Sequence, residues 1–246
     1  MTQNAALTLT NLTFSYPDRP PIWENINLQI QPGERVGAIG PNGAGKTTLF
    51  LSICGILSPQ NGQIELFGKP IQSKEFRPEI GFVFQNPDDQ LFCASVWDDV
   101  AFGVENMGFS SQEIETRVKE ALQVTGTSQL RDRTPYELSG GEKCMVAIAS
   151  ILAMRPQLIL YDEPSANLDL RARRRLIDFL KQSRETVLIS SHDLELLLEV
   201  CDRLFLLNQG KILADGKPKD ILSDRALMEK NSLEVPYSLA NQVTNQ

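Results

Sequence analysis

The sequence predicts an α/β fold, in which short apolar strands alternate with helices around a buried core. Apolar runs typical of buried strands occur at 80–84, 158–161 and 186–190. A glycine-rich loop lies between a further predicted strand, at 35–39, and a predicted helix, at 49–57. The chain has 246 residues, of which 41% are apolar, so it can bury a substantial core.

The glycine-rich loop is the most specific signal in the chain, because it fits the pattern G-x-x-x-x-G-K-S/T at every fixed position. It consists of Gly40, Pro41, Asn42, Gly43, Ala44, Gly45, Lys46, Thr47 and Thr48. Gly43 and Gly45 allow successive N–H groups to point inward, and the helix N-terminus adds partial positive charge. We therefore predict a nucleotide-binding loop rather than an ordinary turn, with Lys46 at the β- and γ-phosphates and the Thr47 hydroxyl on Mg²⁺.

The composition narrows the class of protein. The net charge of −7 argues against a duplex-DNA-binding protein, which would normally carry a basic face. The four cysteines lie far apart without a C-x-x-C motif, so we expect reduced, mostly buried thiols in a cytosolic protein. The first five residues lack the charge and apolar stretch of a signal peptide. The longest apolar run, at 145–154, is too short to span a bilayer, so a membrane function would need another chain to cross it.

Alternating apolar and polar residues predict an antiparallel β region near the N-terminus. Residues 7–16 alternate in this way, and a second such strand follows at 26–30. Asn61-Gly62 predicts a turn before a short strand at 64–67. Tyr16 is the last aromatic residue of the first strand. It could be a core residue or could stack on an adenine ring, and the local sequence alone favours the core.

A helical region interrupts the α/β pattern between about 88 and 132. Ser110 and Glu113 have the spacing of a capping box, and Gly126 is placed to end the same helix. We expect one domain over 1–246, with an α/β core and β subdomain at about 1–85 and 156–216, a helical subdomain at about 86–155 and a C-terminal extension at about 217–246. The extension shows one weak helical pattern, at 221–228.

Polar residues follow three of the predicted buried strands. Gln85 follows the strand at 80–84, and Asp162 and Glu163 end the strand that starts at Leu158. His192, the one histidine in the sequence, follows the strand at 186–190. Open α/β sheets bind ligands at these strand ends, and a carboxylate there is the usual second Mg²⁺ anchor of P-loop nucleotidases. The alternatives are a solvated strand end for the acids and a structural role for the histidine.

The segment Leu138-Ser139-Gly140-Gly141-Glu142 opens another predicted helix. Ser139 and Glu142 again have capping-box spacing, so the segment could be no more than a well-capped helix start. Equally, adjacent glycines expose the N–H groups of a helix tip, where an anion can bind. The local sequence does not decide between these two interpretations. The arginines at 171–175 are most simply a solvated helix face.

Taken together in chain order, these motifs resemble the ATP-binding subunit of an ATP-binding-cassette (ABC) transporter over nearly the whole chain. Residues 40–48 match the Walker A loop, Gln85 the Q-loop, 138–142 the LSGGQ signature, Asp162 and Glu163 the Walker B pair, 165–169 the D-loop and His192 the switch histidine. Tyr16 then matches the aromatic residue that stacks on adenine. The resemblance implies a P-loop NTPase core, mostly a parallel sheet with helices on both faces, carrying an N-terminal antiparallel β subdomain and a helical insertion.

Two further segments make the resemblance more specific. Residues 85–92 and 99–103 look like those of cobalt-transport and energy-coupling-factor (ECF) ATPases. These proteins power the uptake of transition metals or vitamins in prokaryotes, from the cytoplasmic face of the cell membrane. The chain departs from the family at Glu142, where glutamine is usual, and at Cys144-Met145, where basic residues are common.

The family also implies partners. Two such ATPase domains, identical or related, would pack head to tail with two ATP molecules between them. The Lys46 loop of one chain would bind each ATP, and Ser139, Gly140 and Gly141 of the other chain would cover its γ-phosphate. The helical insertion and the Gln85 loop would transmit closure to integral membrane subunits, and no nucleic acid is expected.

The catalytic roles are implied by the same resemblance. Thr47 and Gln85 would ligate Mg²⁺, and Asp162 would act on it through water. Glu163 would polarise the attacking water, and His192 would hold that water and the γ-phosphate in line.

Other functions explain the sequence less well. A non-transport ABC ATPase usually carries coiled coils, zinc modules or a second cassette, and none is visible. A P-loop kinase or GTPase does not explain the signature segment. A pure interaction module does not explain the intact Lys46, Asp162, Glu163 and His192. The ATPase of another importer or of an exporter would keep the chemistry and change the cargo.

Overall fold

The computed structural model describes residues 5–73 and 75–240. The strands are β1 (Leu7–Phe14), β2 (Trp23–Ile30), β3 (Arg35–Ile39), β4 (Asn61–Leu66), β5 (Lys69–Pro70), β6 (Ile80–Val83), β7 (Leu158–Asp162), β8 (Thr186–Ser190), β9 (Arg203–Asn208) and β10 (Lys211–Gly216). The helices are α1 (Lys46–Ile53), α2 (Val96–Asn106), α3 (Ser111–Val124), α4 (Gly140–Leu152), α5 (Leu170–Gln182), α6 (Leu194–Val200), α7 (Pro218–Ser223), α8 (Arg225–Lys230) and α9 (Tyr237–Ala240). The predicted α/β class is confirmed.

The chain divides into two compact units: residues 1–77 with 184–246, and residues 78–183. The predicted subdomain boundaries stay a prediction. The expectation that the first five residues are not a signal peptide concerns a segment that lies largely outside the described residues. Within the described ranges, the helices are all too short or too polar to cross a bilayer.

The first unit contains the predicted antiparallel sheet, with strand order β2-β1-β4-β5. Leu7 lies opposite Ile30 of β2 on one side and Leu66 of β4 on the other. The turn predicted at Asn61-Gly62 is wrong, since both residues belong to β4. They lie at a β-bulge, where a Cβ on Gly62 would come within 2.4 Å of the Thr10 carbonyl oxygen.

The same unit contains strands in the order β10-β9-β3-β8, of which β10 runs antiparallel to β9. β3 pairs in parallel with β8 and with β9, and Ala38 lies opposite Ser190. β9 and β10 form an antiparallel hairpin. Because β3 and β8 are parallel neighbours, the loop that follows Ile39 and the segment that follows Ser190 both start at the carboxyl ends of these strands.

The C-terminal extension contains α7 and α8 where one helix was predicted. Asp224 separates them, and its side chain accepts a hydrogen bond from the N–H of Leu227. An aspartate at this position favours a new helix start over continuation of the old one, because its carboxylate satisfies an amide of the first turn.

The second unit combines the parallel pair β6 and β7 with α2, α3, α4 and α5. Its apolar core is formed mainly by the helices, with Val100, Val104, Val118, Leu122 and Ala147 among its buried residues. Ser110 caps α3 by accepting from the N–H of Glu113, and Gly126 follows the helix with φ +63°. The predicted start and end of this helix are confirmed.

One arginine of the 171–175 cluster is not simply solvated. Arg175 donates from Nη2 to the carbonyl oxygens of Thr125, at 2.6 Å, and Gly126, at 2.7 Å. These carbonyls lie at the C-terminal end of α3, where intrahelical donors run out. Arg175 therefore joins α5 to α3, which corrects the expectation for this residue.

All four cysteines have free thiol groups. Cys144 and Cys201 are buried, while Cys54 and Cys93 are partly exposed. The expectation of reduced, mostly buried thiols is therefore met for two of the four.

Candidate functional site

The glycine-rich loop connects β3 to α1 and is shaped by close contacts. Gly45 is the N-cap of α1 with φ +94°, and a Cβ there would come within 2.4 Å of Ile22 and 2.8 Å of Trp23. A Cβ on Gly40 would lie 2.1 Å from the carbonyl oxygen of Leu207. Only glycine fits at these two positions without movement of the neighbouring chain.

We expect Gly40→Ala to lower the free energy of unfolding by about 2–3 kcal/mol, because the added methyl group meets a backbone oxygen that cannot easily move. Chemical denaturation without nucleotide measures this change. Gly43→Ala is the matched control, since a Cβ there meets no atom of the described residues within 4 Å. We expect its cost to be about 1 kcal/mol, from the positive φ alone. Equal costs for the two variants would contradict the steric explanation.

Lys46 turns back over the loop. Its buried Nζ donates to the carbonyl oxygen of Gly40 at 2.8 Å and to that of Pro41 at 3.3 Å. His192 follows β8 as predicted, and its Nε2 lies 3.5 Å from the same ammonium group. Thr47, next to Lys46, is exposed. The first unit thus brings together the glycine loop, its lysine and the single histidine.

A series of aromatic contacts links Tyr16 to this loop. Its ring meets Phe14 edge to face, with centroids 5.0 Å apart, and Phe14 lies 5.4 Å from Trp23. Trp23 in turn packs against Gly45. Tyr16 is partly exposed, so it is not the core residue that the local sequence favoured.

In the second unit, the ends of β6 and β7 lie side by side. Val83 is opposite Tyr161 in this parallel pair, so Gln85 and Asp162 follow at the same edge. Gln85 is exposed, whereas Asp162 and Glu163 are buried. Glu163 has φ +48°, a left-handed conformation that is uncommon outside glycine and is often found at functional positions.

Sequence reasoning missed Gln90, which fixes the segment that carries Gln85. Its Oε1 accepts from the N–H of Phe84 at 3.1 Å, and its Nε2 donates to the Ala147 carbonyl oxygen at 2.8 Å and to Ser150 Oγ at 3.0 Å. Gln90 therefore holds the end of β6 against α4. A glutamine in a polar loop carries no local signal for such a role, since its partners on α4 are 57 and 60 residues away in the chain.

The tip of α4 is formed by Ser139, Gly140 and Gly141. The capping box is confirmed: Ser139 Oγ accepts from the N–H of Glu142, and Glu142 Oε2 accepts from the N–H of Ser139. Ser139 and Gly140 are exposed. A Cβ on Gly141 would lie 2.5 Å from the Cβ of Ala172, so α5 packs tightly beside the tip.

Each unit carries polar groups of a distinct kind. The loop of the first unit presents a lysine ammonium and the amides of a helix N-terminus, which suit a polyphosphate. The hydroxyl of Thr47, the amide oxygen of Gln85 and the carboxylate of Asp162 are oxygen donors, the type that Mg²⁺ prefers. The residues present therefore fit Mg²⁺ by type of donor.

Comparison with known proteins gives consistent results. The sequence model of a family described as "ABC transporter" matches residues 23–166. A relative from Synechocystis, named as a candidate ABC transporter ATP-binding protein, is 53% identical over 95% of this chain and 82% of its own length. An "Energy-coupling factor transporter ATP-binding protein EcfA" from Methanothermobacter thermautotrophicus is 46% identical over 94% of this chain and 76% of its own. The solved structure of CbiO1 from Clostridium perfringens, described as part of the ABC transporter complex CbiONQ, superposes with a TM-score of 0.84 and 36% identity, covering 98% of this chain and 99% of CbiO1.

Proposed function

The chain belongs to the ABC transporter family of ATPases, and from this membership we propose that it powers the uptake of a transition metal ion or a vitamin as a subunit of an ECF-type transporter. As a family member it is an ATP-hydrolysing subunit of a transporter. The observation that carries the finer proposal is the similarity, over more than nine tenths of the chain, to EcfA and to CbiO1.

In the proposed function, ATP binds by its phosphates to the loop at 40–48. The Lys46 ammonium group is bonded to two loop carbonyls in this structure. The lysine side chain is long enough for this group to turn to phosphate oxygens, which are stronger acceptors. Thr47 and Gln85 would ligate Mg²⁺ and Asp162 would act on it through water, and the bound cation would offset the charge of the phosphates. Tyr16, partly exposed beside the loop, stacks on the adenine ring.

Two residues carry the hydrolysis in this proposal. Glu163 accepts a hydrogen bond from the attacking water, and its burial and left-handed backbone restrict its position. His192 orients the γ-phosphate and that water. The gain comes from positioning and from charge stabilisation, which are the main contributions in phosphoryl transfer.

In the proposed dimer, the tip of α4 of one ATPase subunit completes the ATP site of the other. We call the exposed surface formed by Tyr136, Ser139, Gly140 and Leu170 the signature face. Tyr136 and Leu170 are 78% and 86% exposed, which are high values for large apolar groups. Tyr136 lies just before the tip in sequence, and Leu170 begins α5, which packs beside the tip. Exposed apolar groups around an anion-binding helix tip suit a surface that a second subunit covers.

Another surface of the second unit suits the membrane subunits. An open cleft is lined chiefly by apolar side chains, among them Phe82, Phe84, Phe92, Phe102 and Met154, and we call it the aromatic cleft. Phe92 is 66% exposed and lies edge to face against Phe102, with centroids 5.1 Å apart. The cleft also contains Gln90, which contacts both the Gln85 segment and α4. A helix of a membrane subunit seated here would therefore touch the residue that positions the Q-loop.

The aromatic cleft also contains the carboxylate of Asp99. Asp99 lines the cleft, and its Oδ1 accepts from the N–H groups of Phe92 and Cys93, each at 3.0 Å. Its Oδ2 is buried and has no hydrogen-bond partner among the described residues. Through its Oδ1, Asp99 fixes the segment that carries the exposed ring of Phe92.

We expect Phe92→Ala to weaken retention of the membrane subunits about tenfold, because an exposed aromatic group in an interface is a common binding hot spot. ATP binding and thermal stability should change little. The measurement is the amount of membrane protein that copurifies with the tagged chain. Phe76→Ala is the matched control, since Phe76 is 63% exposed and lies outside the cleft. Equal retention by both variants would contradict the assignment of the cleft.

The function itself is tested by purifying this chain from its native membrane and identifying the proteins that accompany it. The proposal predicts a small substrate-binding membrane protein and one larger scaffold subunit, together with a second ATPase or a second copy. Two large permeases with a soluble binding protein would contradict an ECF-type transporter and would indicate another class of importer.

A further inference from the structure

Glu142 is the residue at which the signature segment departs from the usual glutamine. Three hydrogen bonds join it to Ser139. Glu142 Oε2 accepts from the Ser139 N–H at 2.9 Å and from the Ser139 hydroxyl at 2.8 Å, and the Glu142 N–H donates to Ser139 Oγ at 3.4 Å. The hydroxyl of Ser139 is thus engaged both as a donor and as an acceptor.

The direction of the hydroxyl proton follows from the chemistry of the partners. A carboxylate only accepts hydrogen bonds, so the hydrogen of the Ser139 hydroxyl must point toward Glu142. The donated backbone N–H and hydroxyl of Ser139 hold the pKa of Glu142 below its ordinary value, so this side chain is ionised at neutral pH. A phosphate oxygen is also only an acceptor near neutral pH. It can bond to Ser139 Oγ only if the hydroxyl hydrogen first leaves Glu142.

The charge of Glu142 acts in the same direction. Its carboxylate lies on the first turn of α4, beside the amides that would meet the γ-phosphate, and like charges repel. The positive charges of Arg133 and Arg175 are close enough to favour the carboxylate form, and they reduce this repulsion in part. Glutamine at this position would carry no charge and would hold the serine hydroxyl more weakly.

We infer that Glu142 is a positioning residue that keeps the Ser139 hydroxyl turned away from the γ-phosphate and so raises the ATP concentration at which two subunits close. This inference rests on the proposed head-to-tail dimer and adds to it a determinant of its ATP affinity. The subunit that carries Glu142 then closes on a partner's ATP less readily than a subunit with glutamine would.

The test uses the full chain with Glu163→Gln, which is expected to stop hydrolysis and leave closure at equilibrium. The measured quantity is the MgATP concentration that gives half-maximal dimer by light scattering. We expect Glu142→Gln in this background to lower that concentration about tenfold, the difference between a charged and a neutral hydrogen bond. Glu113→Gln is the matched control: Glu113 occupies the same third position after a serine cap, in α3, and we expect no shift.

A serine variant shows whether Glu142 acts through Ser139. With Ser139→Ala also present, Glu142→Gln should change the half-maximal concentration by less than about twofold, because no hydroxyl remains to be released. An undiminished tenfold change without Ser139 would overturn the positioning role, and so would the absence of a shift when Ser139 is intact. Failure of the Glu163→Gln chain to associate at all would contradict a dimer of identical chains, and this inference with it.

Discussion

The Glu163→Gln variant is expected to bind ATP as well as the unaltered chain does, yet to hydrolyse it at least about 100-fold more slowly. The amide keeps the size of the carboxylate but cannot accept a proton from the attacking water. Since hydrolysis is then the blocked step, ATP-bound dimers should accumulate. Phosphate release, equilibrium ATP binding and light scattering measure the three quantities on one preparation.

The control for this prediction is a glutamate of the same unit that lies away from the strand ends. Glu105 is exposed near the end of α2, and Glu105→Gln should hydrolyse ATP at the normal rate. A normal rate for Glu163→Gln as well would show that another group polarises the water. Loss of ATP binding by Glu163→Gln would instead indicate a structural role for this buried residue.

Lys46→Ala is expected to weaken ATP binding about 10- to 100-fold, because a charged hydrogen-bond donor to the phosphates is lost. The lysine also bonds to the carbonyl oxygens of Gly40 and Pro41, so the loop could shift when it is removed. Calorimetric titration with MgATP measures the affinity, and thermal unfolding without nucleotide reports any loss of the loop's structure.

Lys69→Ala is a suitable control for the lysine prediction, since Lys69 is exposed on the edge strand β5. Its affinity for ATP should be unchanged. If Lys46→Ala bound ATP with normal affinity and enthalpy, the loop at 40–48 would not be the phosphate site.

The parts of the structure that could be predicted from sequence are those fixed by local chemistry. The glycine loop follows from its pattern, since glycine is required where a side chain would meet Ile22 or Leu207. The caps at Ser110 and Ser139 follow from the spacing of serine and glutamate. Buried strands such as β7 and β8 follow from their continuous apolar runs.

The features that could not be predicted depend on residues distant in sequence. Asn61-Gly62 predicts a turn from the local sequence, yet pairing with β1 extends β4 to include both residues. The local sequence predicts that Arg175 is solvated, yet it donates to a carbonyl oxygen at the end of α3. Gln90 has no local signature, because its partners lie on α4. In each case a tertiary contact outweighs the local preference.

In the proposed dimer, the tip of α4 in one subunit covers ATP held on the glycine loop of another. A crystal structure of the Glu163→Gln chain with MgATP would show this arrangement. We expect two subunits head to tail, with each ATP between Lys46 of one chain and Ser139 of the other. ATP on the Lys46 loop with Ser139 of the neighbouring subunit facing away from it would rule out this dimer.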